Sequence, residues 1–193
     1  AVCRTQKSAD RFFEKTSKTC MTGGLDGISD FSEYEMAIIA TPVLSIFDCA
    51  KTLIEKGINY LLIEKPGGID EEQIVQLHQM ASEHNSNVFI AYNRRFYQSV
   101  QEAKRIIQED GGGCTAQFDF TEWSHVIEGI DMPNELKKNW FLANSTHVVD
   151  LAFYLVGKPI EISAYQNGSL SWHKPSKFSG SGITDKNILF HYG

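Results

Sequence analysis

Long apolar runs are missing from this chain. The longest, such as residues 36–40 and 60–63, fall far short of the ~20 residues that cross a bilayer, so no membrane partner is expected. Basic clusters are missing too: with a net charge of -6 and scattered Lys and Arg, no stripe can neutralise a phosphate backbone, which excludes a nucleic-acid partner. Cysteine is scarce. Cys3, Cys20, Cys49 and Cys114 stand apart, with no CxxC pair and no histidine at zinc-ligand spacing, so no metal site is expected. They are expected to be buried, reduced thiols of a cytoplasmic protein. No Gly-x-Gly-x-x-Gly turn occurs anywhere, so any dinucleotide pyrophosphate cradle is expected to lie upstream of Ala1.

What remains is an ordinary globular composition, 42% hydrophobic and 22% charged. Residues 1–4 look like the end of a strand, and the true N-terminus is expected to precede them. From residue 36 onward, short apolar runs alternate with helical patterns: strand 36–40, helix 44–56, strand 59–64, helix 71–84 and strand 87–92. That alternation predicts βαβ units in a parallel, doubly wound sheet. Gly57 reads as a helix stop, and Asp70 with Gln73 as an N-terminal cap. Ile74, Leu77 and Ala81 mark the buried face of the second helix, with Glu71, Glu72 and Glu83 off it.

After a helix over about 97–110, the run Gly111, Gly112, Gly113 marks a break. Residues 1–112 are therefore expected to form a Rossmann-like domain lacking its first βα unit. Residues 113–193 are expected to form an α+β domain with an antiparallel sheet, incomplete at its C-terminal end. Residues 115–123 alternate like a half-buried antiparallel strand, 145–156 reads as a helix stopped by Gly157 and Pro159, and 161–165 and 187–191 read as strands. The stretch 167–182, rich in Ser, Gly and Lys, is expected to be irregular.

Ligands of open α/β sheets sit beyond the carboxyl ends of the strands, and three junctions there carry chemistry. Thr41-Pro42 precedes a helix whose first N–H groups are free. Glu64-Lys65-Pro66 places a lysine at a strand end, where it can bond a hydroxyl and, if burial lowers its pKa, exchange a proton with it. Asn93-Arg94-Arg95 offers an amide and two guanidiniums, for a phosphate or carboxylate or for an interdomain salt bridge. Farther along, His147, Asp150 and Tyr154 share one helix face, so His147 can reach a ligand with Asp150 one turn on. The preceding residues 122–144 hold Trp123, His125, Lys137, Lys138 and Trp140 as candidate substrate contacts.

Ala40-Thr41-Pro42, Glu64-Lys65-Pro66, Asn93-Arg94-Arg95-Phe96 and Ser145-Thr146-His147-Val148-Val149-Asp150-Leu151 with Gly157 together resemble the Gfo/Idh/MocA (glucose-fructose oxidoreductase and inositol dehydrogenase) family in order and spacing. The resemblance runs from Ala1 to about Pro159. It implies an NAD(P)-dependent oxidoreductase that moves a hydride between a nicotinamide and a hydroxyl or carbonyl carbon of a sugar, cyclitol or sugar derivative, in a homo-oligomer. Lys65 and His147 match the family's catalytic lysine and histidine. Arg4, Thr41, Pro42, Glu64, Lys65, Asn93 and Arg94 are then the candidate cofactor contacts, and Lys65, Arg95, Trp140, Asn144, His147 and Asp150 the candidate substrate contacts. Arg4 stands where an acidic residue would bind the ribose of NAD, which favours NADP over NAD. The chain departs from the family at Ala143, where many relatives carry an acid; Asn144 or Asp150 is expected to supply part of that contact. The competing readings are a non-catalytic nucleotide- or sugar-binding regulatory protein on the same fold, and an inactive fragment.

Overall fold

A computed structural model of the chain describes residues 1–113 and 115–193, so the expectation for Cys114 lies outside the described residues. Two sheets organise it. The first contains β1 (Met36–Ile39), β2 (Tyr60–Ile63) and β3 (Asn87–Ile90), all parallel and in sequence order. The crossovers are α2 (Val43–Glu55) and α3 (Glu71–Glu83), as the alternation predicts. Ile46, Ala50, Leu53 and Ile54 of α2, with Leu77 and Ala81 of α3, pack on the alternate strand residues Ile39, Leu61 and Ile63 to make the main core. Both punctuation signals are present. Gly57 takes φ 81°, and Asp70 caps α3 by accepting from the Gln73 N–H at 2.9 Å while Gln73 Oε1 reaches back to the Ile69 N–H at 3.0 Å.

A doubly wound sheet would carry helices on both faces. Here they cover one: Met36, Ile38, Tyr60, Leu62 and Phe89, which point the other way, are exposed. Residues 1–4 do not form a strand, because Val2 makes a single isolated bridge to Met21. Instead Thr5 opens an unforeseen helix, α1 (Gln6–Thr16), by accepting from the Ser8 N–H. The cysteines also differ from expectation: Cys3, Cys20 and Cys49 are free thiols but only partly buried, the first two flanking that surface bridge.

Beyond α4 (Gln98–Glu109), the second sheet has the order β4 (Thr115–Phe118), β7 (Leu189–Tyr192), β6 (Lys177–Thr184), β5 (Pro159–Asn167). It is mixed rather than antiparallel, since β4 runs parallel to β7 while β5, β6 and β7 alternate in direction. The stretch 167–182 is not irregular throughout, because its second half is β6. Two short helices, α5 (Ser124–Glu128) and α6 (Asn134–Lys138), lead to α7 (Thr146–Val156), which covers the sheet. Phe153 of α7 meets Phe118 and Phe190 edge-on at 5.6 and 5.1 Å. β5 is exposed along its whole length, Ile162 on one face and Tyr165 on the other. No helix among the described residues is long and apolar enough to cross a membrane.

Candidate functional site

The carboxyl ends of β2 and β3 face the start of α7, where Lys65, Tyr92 and His147 come together. Lys65 lies two residues past β2 and is joined to Pro66 by a cis bond, and its N–H donates to Glu64 Oε2 at 2.9 Å. Its ammonium crosses to the other half of the chain and donates to the carbonyl of Ala143 at 2.5 Å. That carbonyl belongs to a single π-helical turn, Phe141–Ser145, directly before α7. The wider turn disturbs the regular ladder of backbone bonds, which leaves such a carbonyl open to an outside donor. Ala143, which looked like a lost acid, therefore holds the lysine through its backbone.

His147 enters from the first turn of α7, packed edge-on against the Tyr92 ring at 5.9 Å. Its Nδ1 is buried and has no hydrogen-bond partner among the described residues. Burial pushes the imidazole pKa below its ordinary value, and the positive charges of Lys65 and Arg94 push it further the same way. Burial also lowers the Lys65 pKa, assisted by Arg94 and opposed by Glu64 and Glu122. Both bases are thus shifted toward their neutral forms by shared causes. The Tyr92 hydroxyl moves upward, again through burial first.

The depressed His147 pKa fixes the sign of a pH effect. Between the folded value and the ordinary ~6.5, the unfolded chain binds the proton and the folded chain does not, so stability rises with pH across that window. The penalty is complete below the folded pKa and gone above the ordinary one. Urea unfolding at stepped pH should show this rise, and His147→Gln should remove that part of it; an unchanged slope in the variant would assign the rise to other groups.

Arg95 and Asp150 do not stand free to bind a ligand. Arg95 Nε donates to Asp150 Oδ2 at 2.8 Å and a terminal nitrogen donates to Oδ1, a two-pronged pair joining the end of β3 to α7. The guanidinium also lies over the rings of Tyr92 and Tyr154 at 5.8 and 5.2 Å. Both Asp150 oxygens are therefore engaged by Arg95, and Asp150 bears on His147 through its charge alone. Its side chain is 11% exposed against 40% for Arg95. Discounting for that solvent access, Arg95→Ala should cost about 1–3 kcal/mol in urea unfolding. Adding Asp150→Asn should cost little more, whereas fully additive losses would show that the two do not act as a pair.

The other expected residues are placed less tightly. Arg94 is half-buried and close enough to bias both Lys65 and His147, while Asn93 and Glu64 are exposed at the strand ends. The Thr41 hydroxyl is buried without a partner among the described residues, just before α2, whose first residue follows Pro42. Arg4 lies apart, exposed beside Gly24. Trp140 precedes the π turn and Asn144 lies within it, and Asn144 Nδ2 donates to Glu122 Oε1 at 2.6 Å. Of the other aromatic and basic candidates, Trp123 is 71% exposed and Lys137 is buried with its ammonium on the Glu128 carbonyl. The sequence reasoning missed Glu122, Trp172 and Phe178, whereas Tyr92 is one of the aromatics that flank Asn93-Arg94-Arg95 at the strand end. Glu122 left a signal as the acid near the end of the alternating stretch 115–123.

No protein-family model matches the sequence, and none of the curated proteins does. Solved structures do share its fold. An NAD binding oxidoreductase from Klebsiella pneumoniae superposes with TM-score 0.76 at 16% identity, over 98% of this chain and 55% of that one. A levoglucosan dehydrogenase, solved with NADH and levoglucosan, gives TM-score 0.73 at 20% identity, over 99% and 55%. The WlbA dehydrogenase of Bordetella pertussis, solved with NADH and UDP-GlcNAcA, gives 0.72 at 15% identity, over 99% and 57%. At these identities the likeness is one of fold: a mixed α/β chain with a parallel three-stranded sheet and a mixed four-stranded one. The chain spans a little over half the length of these proteins.

Proposed function

We propose that this chain serves an NAD(P)-dependent dehydrogenase or reductase of the Gfo/Idh/MocA type, acting at a hydroxyl or carbonyl carbon of a sugar, cyclitol or sugar derivative. One observation carries the reading: Lys65 from the end of β2 and His147 from the start of α7, distant in sequence, converge where both are shifted toward neutral. Paired bases with perturbed pKa values at the carboxyl end of a parallel sheet fit proton transfer to and from a hydroxyl. The solved neighbours are oxidoreductases, and the NADH and sugars bound in two of them point the same way. The expected division near residue 112 would then separate a cofactor half from a substrate half, with the site in the joint.

The residues present fit one end of a dinucleotide. The orphaned Thr41 hydroxyl, the free N–H groups of α2 and the polar groups of Glu64, Asn93 and Arg94 would hold the nicotinamide and its ribose beside Lys65. No Gly-x-Gly-x-x-Gly turn for the pyrophosphate occurs in the 193 residues. When bound, the nicotinamide supplies the hydride acceptor or donor. The protein's part is the proton: Lys65 Nζ takes it from the substrate hydroxyl during oxidation, and the His147 imidazole orients the same hydroxyl. The Ala143 carbonyl keeps the lysine aimed.

The test is absorbance at the reduced-nicotinamide band with NADPH and with NADH, against neutral sugars, anhydrosugars and inositols. Turnover is expected, with tighter binding of NADPH because Arg4 suits a 2′-phosphate. Cofactor binding without turnover on any of them would favour the non-catalytic alternative, and markedly tighter NADH binding would remove Arg4 from the cofactor site.

A further inference from the structure

The chain leaves residues 1–4, runs through α1 and returns to its own start. At the return the Cys3 N–H donates to the Met21 carbonyl at 2.8 Å, and the Met21 N–H donates to the Ala1 carbonyl at 3.0 Å. The Gly24 N–H closes the excursion on the Cys3 carbonyl at 3.1 Å. These bonds set Val2 opposite Met21 in a parallel, isolated bridge. Side-chain burial adds little to them: within α1 Ala9 is the one buried residue, and Phe13 is 53% exposed.

The bridge decides where the neighbouring side chains go. With Val2 opposite Met21, the residue after the first and the residue before the second, Cys3 and Cys20, both point to the other face of the pairing. Their thiols meet there in a hydrogen bond, which favours the protonated form of Cys20 and raises its pKa, as it does for a donor; desolvation adds to the effect. Both sulfurs are free and only partly buried, within reach of a reagent in solution. Neither belongs to the main core, against which Cys49 packs, and neither touches the Lys65 and His147 centre. Diagonal neighbours in a paired ladder stand ~7–8 Å apart, against the ~4.4–6.8 Å between Cα atoms that a disulfide spans, so joining them draws residues 1–3 in by about 1 Å. A single bridge leaves that end of the chain able to make the move.

We propose that Cys3 and Cys20 form a reversible dithiol–disulfide site, oxidised by a small-molecule disulfide of the glutathione class, which closes the loop carrying α1. Cys20 is the donor of the pair and keeps its proton, so Cys3 reacts first. Cys3 loses its proton to solvent and its sulfur attacks one sulfur of the small disulfide; a mixed disulfide forms, and one small thiolate leaves and takes up a proton. Cys20 then loses its proton to solvent and attacks the Cys3 sulfur. The Cys3–Cys20 bond forms, and the second small thiolate leaves and is protonated. Two protein thiols are oxidised by two electrons in all, and the small disulfide is reduced to two thiols. The site goes beyond the dehydrogenase reading and does not rest on it.

The experiment equilibrates the 193-residue chain with mixtures of oxidised and reduced glutathione, once folded and once in urea. Free thiols are trapped by alkylation, and the products are mapped by mass spectrometry after cleavage at Lys, Arg, Asp and Glu, which separates Cys20 from Cys49. The Cys3–Cys20 peptide should be the main disulfide of the folded chain, reversed by dithiothreitol. Its effective concentration, read against glutathione, should be at least tenfold higher folded than in urea. By linkage the same tenfold factor should raise the Tm of the oxidised chain by roughly 3–6 °C over the reduced one. Cys20→Ser should leave Cys3 as a mixed disulfide with glutathione, and Cys49→Ser should alter neither the yield nor the Tm shift. Four results would overturn the proposal: no Cys3–Cys20 peptide at any glutathione ratio, Cys3 pairing as readily with another cysteine, an effective concentration within threefold of that in urea, or an oxidised chain that melts below the reduced one.

Discussion

Replacing Lys65 with methionine should lower kcat by about 10²–10⁴-fold while leaving cofactor affinity nearly unchanged, the range expected for losing a positioned proton acceptor. Methionine keeps the length and apolar character of the stem, so the wall of the site is preserved. What disappears is the ammonium that donates to the Ala143 carbonyl. Its loss leaves that acceptor without a protein donor, at a stability cost of about 1 kcal/mol, too small to unfold the chain. Folding and catalysis therefore separate cleanly in this variant. Steady-state kinetics decide the matter: a kcat within about threefold of the parent would remove Lys65 from the chemistry and leave it a strut between the two halves.

The pH profile sharpens the same test. The Lys65 pKa sits below its ordinary value because burial opposes the charge and Arg94 repels it, while Glu64 and Glu122 act in the opposite sense. Oxidation of an alcohol needs the neutral amine, so its rate should climb as pH rises through that lowered pKa. Removing the Glu122 charge takes away one of the two opposing influences and should carry the climb to lower pH.

The parallel half was readable because each local rule there agrees with its neighbours. Apolar runs of strand length, helices with a single apolar stripe, Gly57 as a stop and the Asp70 and Gln73 cap all specify one arrangement. Lys65 and His147 were readable as candidates, because a strand end and a helix start limit where a side chain can go. Their meeting followed only from the resemblance, and the π turn whose carbonyl holds the lysine is announced by no periodicity. The same gap explains Arg95 and Asp150: both residue types suit a ligand, and only the fold shows that they satisfy each other. Trp140 was among the expected substrate contacts, but Trp172 and Phe178, which meet it or its neighbour Phe141, lie in a stretch that read as irregular.

Residues 177–184 failed as a sequence reading for a reason that yields the second large prediction. Ser and Gly favour turns over strands, yet β6 needs its glycines, because neighbouring groups occupy the space a side chain would take. A Cβ on Gly180 would stand 2.4 Å from the Tyr192 hydroxyl oxygen, and one on Gly182 only 2.0 Å from the carbonyl oxygen of Glu161 and 2.8 Å from the Phe190 ring. The close approach at Gly182 sits beside the register shift between Pro159 and Glu161, where β5 departs from regular pairing with β6. An aromatic side chain can swing away, but a backbone carbonyl moves only if β5 moves. Gly182→Val should therefore reach or exceed the top of the ~1–3 kcal/mol range for overpacking, lowering Tm by roughly 6–12 °C at 3 kcal/mol for a chain of this size. Gly180→Ala, opposed by a ring rather than by backbone, should cost less. Thermal unfolding of the two variants beside the parent checks the order, and equal losses would mean that β5 yields as readily as a side chain does.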